Sequence, residues 1–381
     1  MIAPLCLAVF LACSERAPDP EPPPEPPAEV DPLCADPFVS ALADGARRWA
    51  REDLTAQDFG TGSPLFDEEW LFGTWMMAAV GLGQHARLCP EAAPQDLPAM
   101  EAAIERMLSP AGQAFDARKW GAPLAERPAG ARGSMALLGY GGLPLALHRA
   151  LVPDSRFAAQ EQAWTEALAV RFADPQLAGG LLCETYPGER YAVDNSAGIA
   201  ALALHDRASG EDHAAVLRAA LAALQGQRDP ASGLLHQSQA PDGSPRDRPR
   251  GSGTFLAAWF LHRADPALAR DLYERGVQAL SGELLGVTAM REYALGVEGR
   301  GDVDSGPLIA GFSVSATGFA LGGASAFGDE AMRARLLRTV SLGGPLAVRV
   351  VPGLSSEEGG ATGSHLGDAI LLAMLSAEGS P

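Results

Sequence analysis

The sequence predicts an all-α protein, an (α/α)6 toroid of six helical hairpins preceded by a lipoprotein signal and a Pro-rich tether. Three observations carry this. Two kinds of helix alternate along the chain, two lengths of connection alternate with them, and one kind of helix recurs at a nearly constant interval.

Twelve helices are expected, over 37–52, 66–87, 95–108, 132–150, 155–173, 194–208, 212–226, 252–264, 266–281, 307–326, 328–342 and 363–376. The odd-numbered ones are amphipathic: in the fifth, Phe157, Trp164 and Leu168 share a face opposite Glu161 and Arg171. In the ninth, Leu268, Leu272, Gly276 and Leu280 lie opposite Arg270 and Glu274. The even-numbered ones are apolar nearly all round, as in GTFLAAWFL and GDAILLAMLSA, and such helices are buried. Even helices therefore line the inside and odd helices cover them.

Connections from inner to outer helices are very short, as at Val152-Pro153-Asp154 or Gly210-Glu211. Those from outer to inner are long: 109–131, 174–193, 227–251, 282–306 and 343–362. Long loops inside a compact domain usually carry function. Inner helices begin near 66, 132, 194, 252, 307 and 363, the regular interval of a repeat protein. Six hairpins of one hand close into a ring, all long loops gather at one rim, and the inner helices point their N-terminal dipoles into it. An open α-solenoid is the rival arrangement. Residues 33–381 are thus expected to form one toroid domain.

Ahead of it, Met1 to Ala12 is short and apolar and ends in Ala12-Cys13, the pattern of a bacterial lipoprotein signal (residues 1–13) whose Cys13 is lipidated. Phe10 and Leu11 depart from the usual residues there, and an ordinary secretory peptide or a buried N-terminal helix are the alternatives. Residues 14–32 include APDPEPPPEPPAEVDP, an acidic Pro-rich linker that reads as an extended tether. Export implies an oxidising bacterial envelope, periplasmic or cell-surface. Cys34 and Cys89 are then plausible disulfide partners, with Cys183 the odd thiol.

Composition narrows the function. The 381 residues carry a net charge of −18, so the overall field repels phosphate and nucleic acid is not an expected partner. No run of about 20 apolar residues occurs, which argues against a multi-pass membrane protein and leaves the lipid anchor as the membrane contact. A small molecule is the expected partner.

The scarce residues fall in the long loops. The densest stretch, LLCETYPGERYAVDNS from Leu181 to Ser196, holds Cys183, Glu184, Tyr186, Glu189, Tyr191, Asp194 and Asn195. Asp194 can equally be an N-cap, and Cys183 a buried small residue. A second cluster runs Met290-Arg291-Glu292-Tyr293 and continues at Asp302-Val303-Asp304-Ser305-Gly306-Pro307. Asp-x-Asp can bind a divalent cation, but calcium-loop spacing is missing, and Asp304 and Ser305 can instead cap the tenth helix with Pro307 in its first turn. Arg248 to Thr254 is Gly-containing but matches no phosphate-loop pattern. The histidines show no HxxxH or HxH pairing, so no zinc site is expected; His148 and His262 read as residues at the ends opposite the rim.

The order GLLCE, Y-x-V-x-N-S and ALALHDRASGEDH, with Tyr140 in LLGYGGLPLALHRAL, Arg291-Glu292 and Asp368 in GSHLGDAILLA, resembles linalool dehydratase-isomerase and its relatives over residues 132–376. The resemblance implies an (α/α)6 barrel, a secretory signal and a rim site acting on a small alcohol without a cofactor. It places Cys183 and Glu184 on catalytic positions. Asp194 stands where the family has a second cysteine, and Tyr140 where it has a histidine.

Three readings follow. The first is a cofactor-independent lyase or isomerase on a hydroxylated small molecule. Glu184 and Asp194 would move protons, Cys183 and Tyr140 would assist, and Tyr186, Tyr191, Asn195, Arg291, Glu292, Tyr293 and Asp304 would hold the substrate in one rim cavity. The second is a glycan-active enzyme with paired carboxylates; the 6% aromatic content argues mildly against it. The third is a ligand-binding lipoprotein without catalysis.

Overall fold

A helix with no polar face has nowhere to go but inside, and six helices here are of that kind. The computed structural model describes residues 31–128, 132–350 and 360–377, with the side chains of 178 and 343–350 outside the description. Cys13 and most of the Pro-rich linker lie outside the described residues. The helices are α1 (Pro37–Trp49), α2 (Pro64–Leu88), α3 (Ala93–Leu108), α4 (Ala114–Trp120), α5 (Met135–Leu151), α6 (Ala158–Phe172) and α7 (Pro175–Ala178). They continue with α8 (Ala192–Ser209), α9 (Ala214–Gln225), α10 (Gly251–Leu261), α11 (Pro266–Leu280), α12 (Val314–Phe327), α13 (Glu330–Val350) and α14 (His365–Leu375).

The apolar helices α2, α5, α8, α10, α12 and α14 each touch the next, and α14 returns to touch α2, so the ring is closed and the open solenoid is excluded. Helices α1, α3, α6, α9, α11 and α13 pack outside it. The architecture is the (α/α)6 toroid that the sequence predicts. In α10, Phe255, Trp259 and Phe260 are all fully buried. Each phenylalanine contributes roughly 1.5–3 kcal/mol through its removal from water. Among the described residues, no helix is long and apolar enough to cross a membrane.

Two adjacent inner helices begin with the same device. The sequence Thr-Gly-Ser-x-x-x-Asp occurs at Thr61–Asp67 before α2 and again at Thr362–Asp368 before α14. In each, the Asp carboxylate accepts from both the backbone N–H and the hydroxyl of the Thr, at 2.9 and 2.6 Å in the first copy and 2.8 and 2.7 Å in the second. Gly62 and Gly363 take φ of +83° and +76°, which the intervening turn needs and which other residues rarely adopt. Asp368 also accepts from Trp49 Nε1 at 3.2 Å, tying outer helix α1 to the start of α14.

Several expectations are corrected. The helix expected at 307 begins at Val314, capped by Ser313, because Gly306, Ala310 and Gly311 all take positive φ and Pro307 lies among them. Asp304 and Ser305 therefore do not cap it. Asp194 is not an N-cap either, since α8 starts at Ala192 and places Asp194 within its first turn. The long connections carry elements of their own: α4, α7 and two small antiparallel pairs. β1 (Arg190–Tyr191) pairs with β2 (Ser238–Gln239), Arg190 opposite Gln239, and β3 (Ser281–Leu284) pairs with β4 (Val287–Met290), Ser281 opposite Met290.

Cys34 and Cys89 form a disulfide across 55 residues, pinning the segment before α1 to the end of α2. Closing a loop of that length stabilises the folded chain by about 4 kcal/mol in the chain-entropy account. Replacing both cysteines by serine should lower the unfolding free energy by a comparable amount, read as a reduced midpoint in guanidinium titration, with a steeper slope because the uncrosslinked unfolded chain exposes more surface.

Candidate active site

The outer-to-inner loops meet at the N-terminal ends of the inner helices, and the acids there come from three different segments. Glu69 stands near the start of α2, Asp194 in the first turn of α8, and Asp304 on the connection before α12. They are close enough to repel one another: Asp304 and Asp194 act on Glu69, and Asp304 acts on Asp194.

Each carboxyl is held above its ordinary range, with burial as the first cause. Glu69 is pushed up to about 8, opposed by a hydrogen bond from Tyr186 and by Lys119, and reinforced by Asp304 and Asp194. Asp194 is pushed up to about 7; the Thr185 and Tyr140 hydroxyls pull it down while Asp304 pushes it up. Asp304 is pushed up to about 6, with Asp302 and Glu292 raising it and Arg250 lowering it. By accessible surface Asp304 is exposed, whereas Glu69 is half-buried and Asp194 buried.

Tyrosines and a lysine surround the acids. The Tyr186 hydroxyl donates to Glu69 Oε1, and the Thr185 hydroxyl donates to Asp194 Oδ2 at 2.5 Å. Tyr140 lies close enough to Asp194 to lower its carboxyl and meets Phe260 edge-on at 5.0 Å. Lys119, from α4, lies 4.5 Å over the Tyr186 ring and donates to Glu189 at 3.0 Å. Glu189 also accepts from Tyr191 at 2.9 Å. A tight turn sets these side chains, with Thr185 N–H donating to Glu189 O at 2.9 Å before β1 leads into α8.

Cys183 and Glu184 are placed differently. The Cys183 side chain is buried, and burial pushes its thiol up to about 12, so the nucleophilic thiolate is scarce near neutrality. Its backbone N–H donates to Asn195 Oδ1 at 2.9 Å, and Asn195 Nδ2 donates back to the Cys183 carbonyl at 3.1 Å. Asn195 is thus occupied in holding the loop to α8. Glu184 pairs with Arg190 at 2.8 Å, which leaves it a neutralised partner rather than an unopposed acid.

Arg291 and Tyr293 are placed apart from this cluster, whereas Glu292 lies near enough to raise Asp304 but is bound up in the scaffold. Glu292 is fully buried and accepts from Arg250 Nε at 2.9 Å and the Ser252 hydroxyl at 2.6 Å. Arg250 also grips Asp302 through two guanidinium nitrogens, at 2.5 and 2.8 Å. This group braces the loop that carries Asp304. Arg291 lies over Phe312 at 4.2 Å, and with Tyr293, Arg248 and Arg300 it lines a groove of about 610 Å³ that none of the three carboxylates borders.

Glu69, Lys119 and Thr185 were not among the residues singled out from sequence. For Glu69 a signal existed: FDEEWLFGTWMM places acids at the mouth end of a helix otherwise apolar throughout.

Comparison with known proteins follows the fold. No family model matches the chain, and no curated protein matches it in sequence. Among solved structures, it is similar to an alpha-1,6-mannanase of Salegentibacter sp. HEL1_6, an inactive double-aspartate variant bound to alpha-1,6-mannotetrose. Identity is 15%, the TM-score 0.50, and the match covers 90% of this chain and 99% of that one. It is similar to a family 76 glycoside hydrolase from a bovine Bacteroides thetaiotaomicron strain at 12% identity and TM-score 0.54, over 90% of this chain and 78% of that one. An unsaturated glucuronyl hydrolase specific for heparin matches at 10% identity and TM-score 0.55, over 90% and 95%. These likenesses establish the fold.

They also overturn the resemblance to linalool dehydratase-isomerase, since the structures that match are (α/α) barrels of glycoside hydrolases and a D-mannose isomerase. The physical reason lies in what carried it. Asp368 closes the turn before α14, Asn195 braces the 183 loop, and Glu292 anchors Arg250. Those residues build a toroid rim rather than identify a reaction.

A carboxyl with a higher pKa in the folded chain weakens folding as pH rises from its unfolded value, 4.5 for Glu69, towards about 8. Glu69→Gln should therefore be more stable than wild type at pH 9 and hold no advantage at pH 4. Denaturant midpoints at the two pH values measure this.

Proposed function

We propose that the chain is a glycan-active hydrolase whose acid–base chemistry rests on Glu69, Asp194 and Asp304. The observation that carries this reading is that Glu69, Asp194 and Asp304, brought together from three segments at the inner-helix starts, act on one another electrostatically and have affinities for protons that step from about 6 to about 8. Hydrolysis of a glycosidic bond needs one carboxylic acid to protonate the leaving oxygen and one carboxylate on the other side of the bond. Environments that push neighbouring acids apart in pKa supply both at one pH.

In this reading Glu69, holding its proton past neutrality, is the general acid and Asp304, the first to ionise, is the base or nucleophile. Asp194 lies between their ranges and tunes both by repulsion. The three titrate as a set, so activity should fall off on both sides of a window between about pH 6 and 8. Tyr140, Tyr186 and Tyr191 gather around the acids, which answers the objection from low aromatic content: few rings are present, and three of five tyrosines are here. Sugar-acting neighbours of the same fold support the reading. The lyase or isomerase reading, in which Glu184 and Asp194 move protons and Cys183 assists, gives way, because Glu184 is ion-paired and the Cys183 thiol is buried.

Activity on a panel of mannan, uronic-acid and other oligosaccharides tests the assignment. Glu69→Gln and Asp304→Asn should each lose at least 10²-fold in kcat on natural linkages. Glu69→Gln alone should recover on aryl glycosides whose leaving group departs unprotonated. Cys183→Ser should retain activity. Full activity in both carboxyl variants would refute the proposal.

We further propose that the enzyme is exported and held at the membrane through a lipidated Cys13, the Pro-rich segment acting as spacer. Ala12-Cys13 and the oxidised Cys34–Cys89 pair support this. A traceable fatty acid should label the wild type and not Cys13→Ala; equal labelling of both would remove the anchor.

A further inference from the structure

The end of α8 away from Asp194 carries a second cluster that the proposed hydrolysis does not use. His205 lies eleven residues beyond Asp194, or about 16 Å along the helix. Helix α8 ends at Ser209, Gly210 turns the chain with φ of +79°, and α9 begins at Ala214. That turn returns His213 to His205, with ring centroids 5.9 Å apart, and places Glu211 beside them. One ligand atom from each of His205, Glu211 and His213 lies within 4.8 Å of the other two.

Both rings are oriented in the same way. His205 Nδ1 is bonded to Glu161 Oε1 at 2.5 Å, and His213 Nδ1 to Asp206 Oδ1 at 2.6 Å. A carboxylate on Nδ1 fixes the ring and leaves Nε2 as the ligating nitrogen, which is how metal-binding histidines are usually held. His205 Nε2 is already 3.4 Å from Glu211 Oε2 and 3.2 Å from the Ser209 hydroxyl. Access is open, since His205 is fully buried whereas the Glu211 side chain is 43% exposed.

We propose that His205, Glu211 and His213 form a zinc site with two imidazoles and one carboxylate, joining the end of α8 to the start of α9. Imidazole and carboxylate donors suit Zn²⁺, and three protein ligands leave a fourth tetrahedral position for water. Two ligand atoms about 2 Å from a tetrahedral zinc stand about 3.3 Å apart, close to the 3.4 Å that already separates His205 Nε2 from Glu211 Oε2. A search for HxxxH misses the site because His205 belongs to α8 and His213 stands at the N-cap of α9, eight residues apart across a turn.

The test is zinc titration of the full chain, purified without a polyhistidine tag, against a chromophoric chelator. One zinc per chain is expected, with a rise in Tm on zinc addition. His213→Ala and Glu211→Gln, both at partly exposed positions, should each weaken binding at least tenfold and abolish the rise in Tm. No stoichiometric binding by wild type, or unchanged affinity in both variants, would overturn the proposal.

Discussion

Where Gly139 of α5 meets Gly198 of α8, a methyl group on the first would stand 2.6 Å from the backbone nitrogen of the second, so the two helices touch main chain to main chain. A similar approach occurs at Gly81 of α2, whose added methyl would lie 2.9 Å from the Ala373 nitrogen of α14. Bulkier residues would push these helices apart, and six helices so separated would not close a ring. Closure brings six helix starts together, and with them every long loop.

Glu69 and Asp194 in that mouth are costly to bury and are retained. Each is compensated only partly, by a tyrosine or threonine hydroxyl rather than by a cation in contact, and the remaining penalty appears as retained protons. Arg250, which lowers Asp304, is shared with Glu292 and Asp302. It braces the Asp304 loop and offsets only part of the upward shift there. The contrast with Glu184, discharged by Arg190, separates a structural acid from a chemically available one.

The ring was legible because burial writes itself into sequence. An all-apolar helix such as α10 has one destination, and alternation with amphipathic helices leaves little choice of arrangement. The site was legible only in part. Asp194, Asp304, Tyr140 and Tyr186 stood out by rarity and position, but Glu184 was preferred to Glu69 because it sat beside a cysteine in the densest loop. Which acid is ion-paired depends on whether a cation folds back onto it, and Arg190 does so on Glu184 through a turn that no periodicity reveals. The start of α12 was misplaced for a related reason: three positive-φ residues outweigh an Asp-Ser-Gly-Pro run that reads as a cap. The His205–His213 pair was invisible because its geometry belongs to the turn.

The twin Thr-Gly-Ser-x-x-x-Asp turns lie where the two ends of the chain meet, since α2 and α14 are neighbours in space and nearly 300 residues apart in sequence. Trp49 reaches Asp368, and Gln84 donates to the Ala373 carbonyl at 2.8 Å across the same junction. Without α14 the earlier hairpins can form only an arc, with the apolar sides of α2 and α12 bare. An unfinished ring of that kind has two sticky ends and is open to association with other copies. Closure of the ring therefore depends on the docking of α14 between α12 and α2.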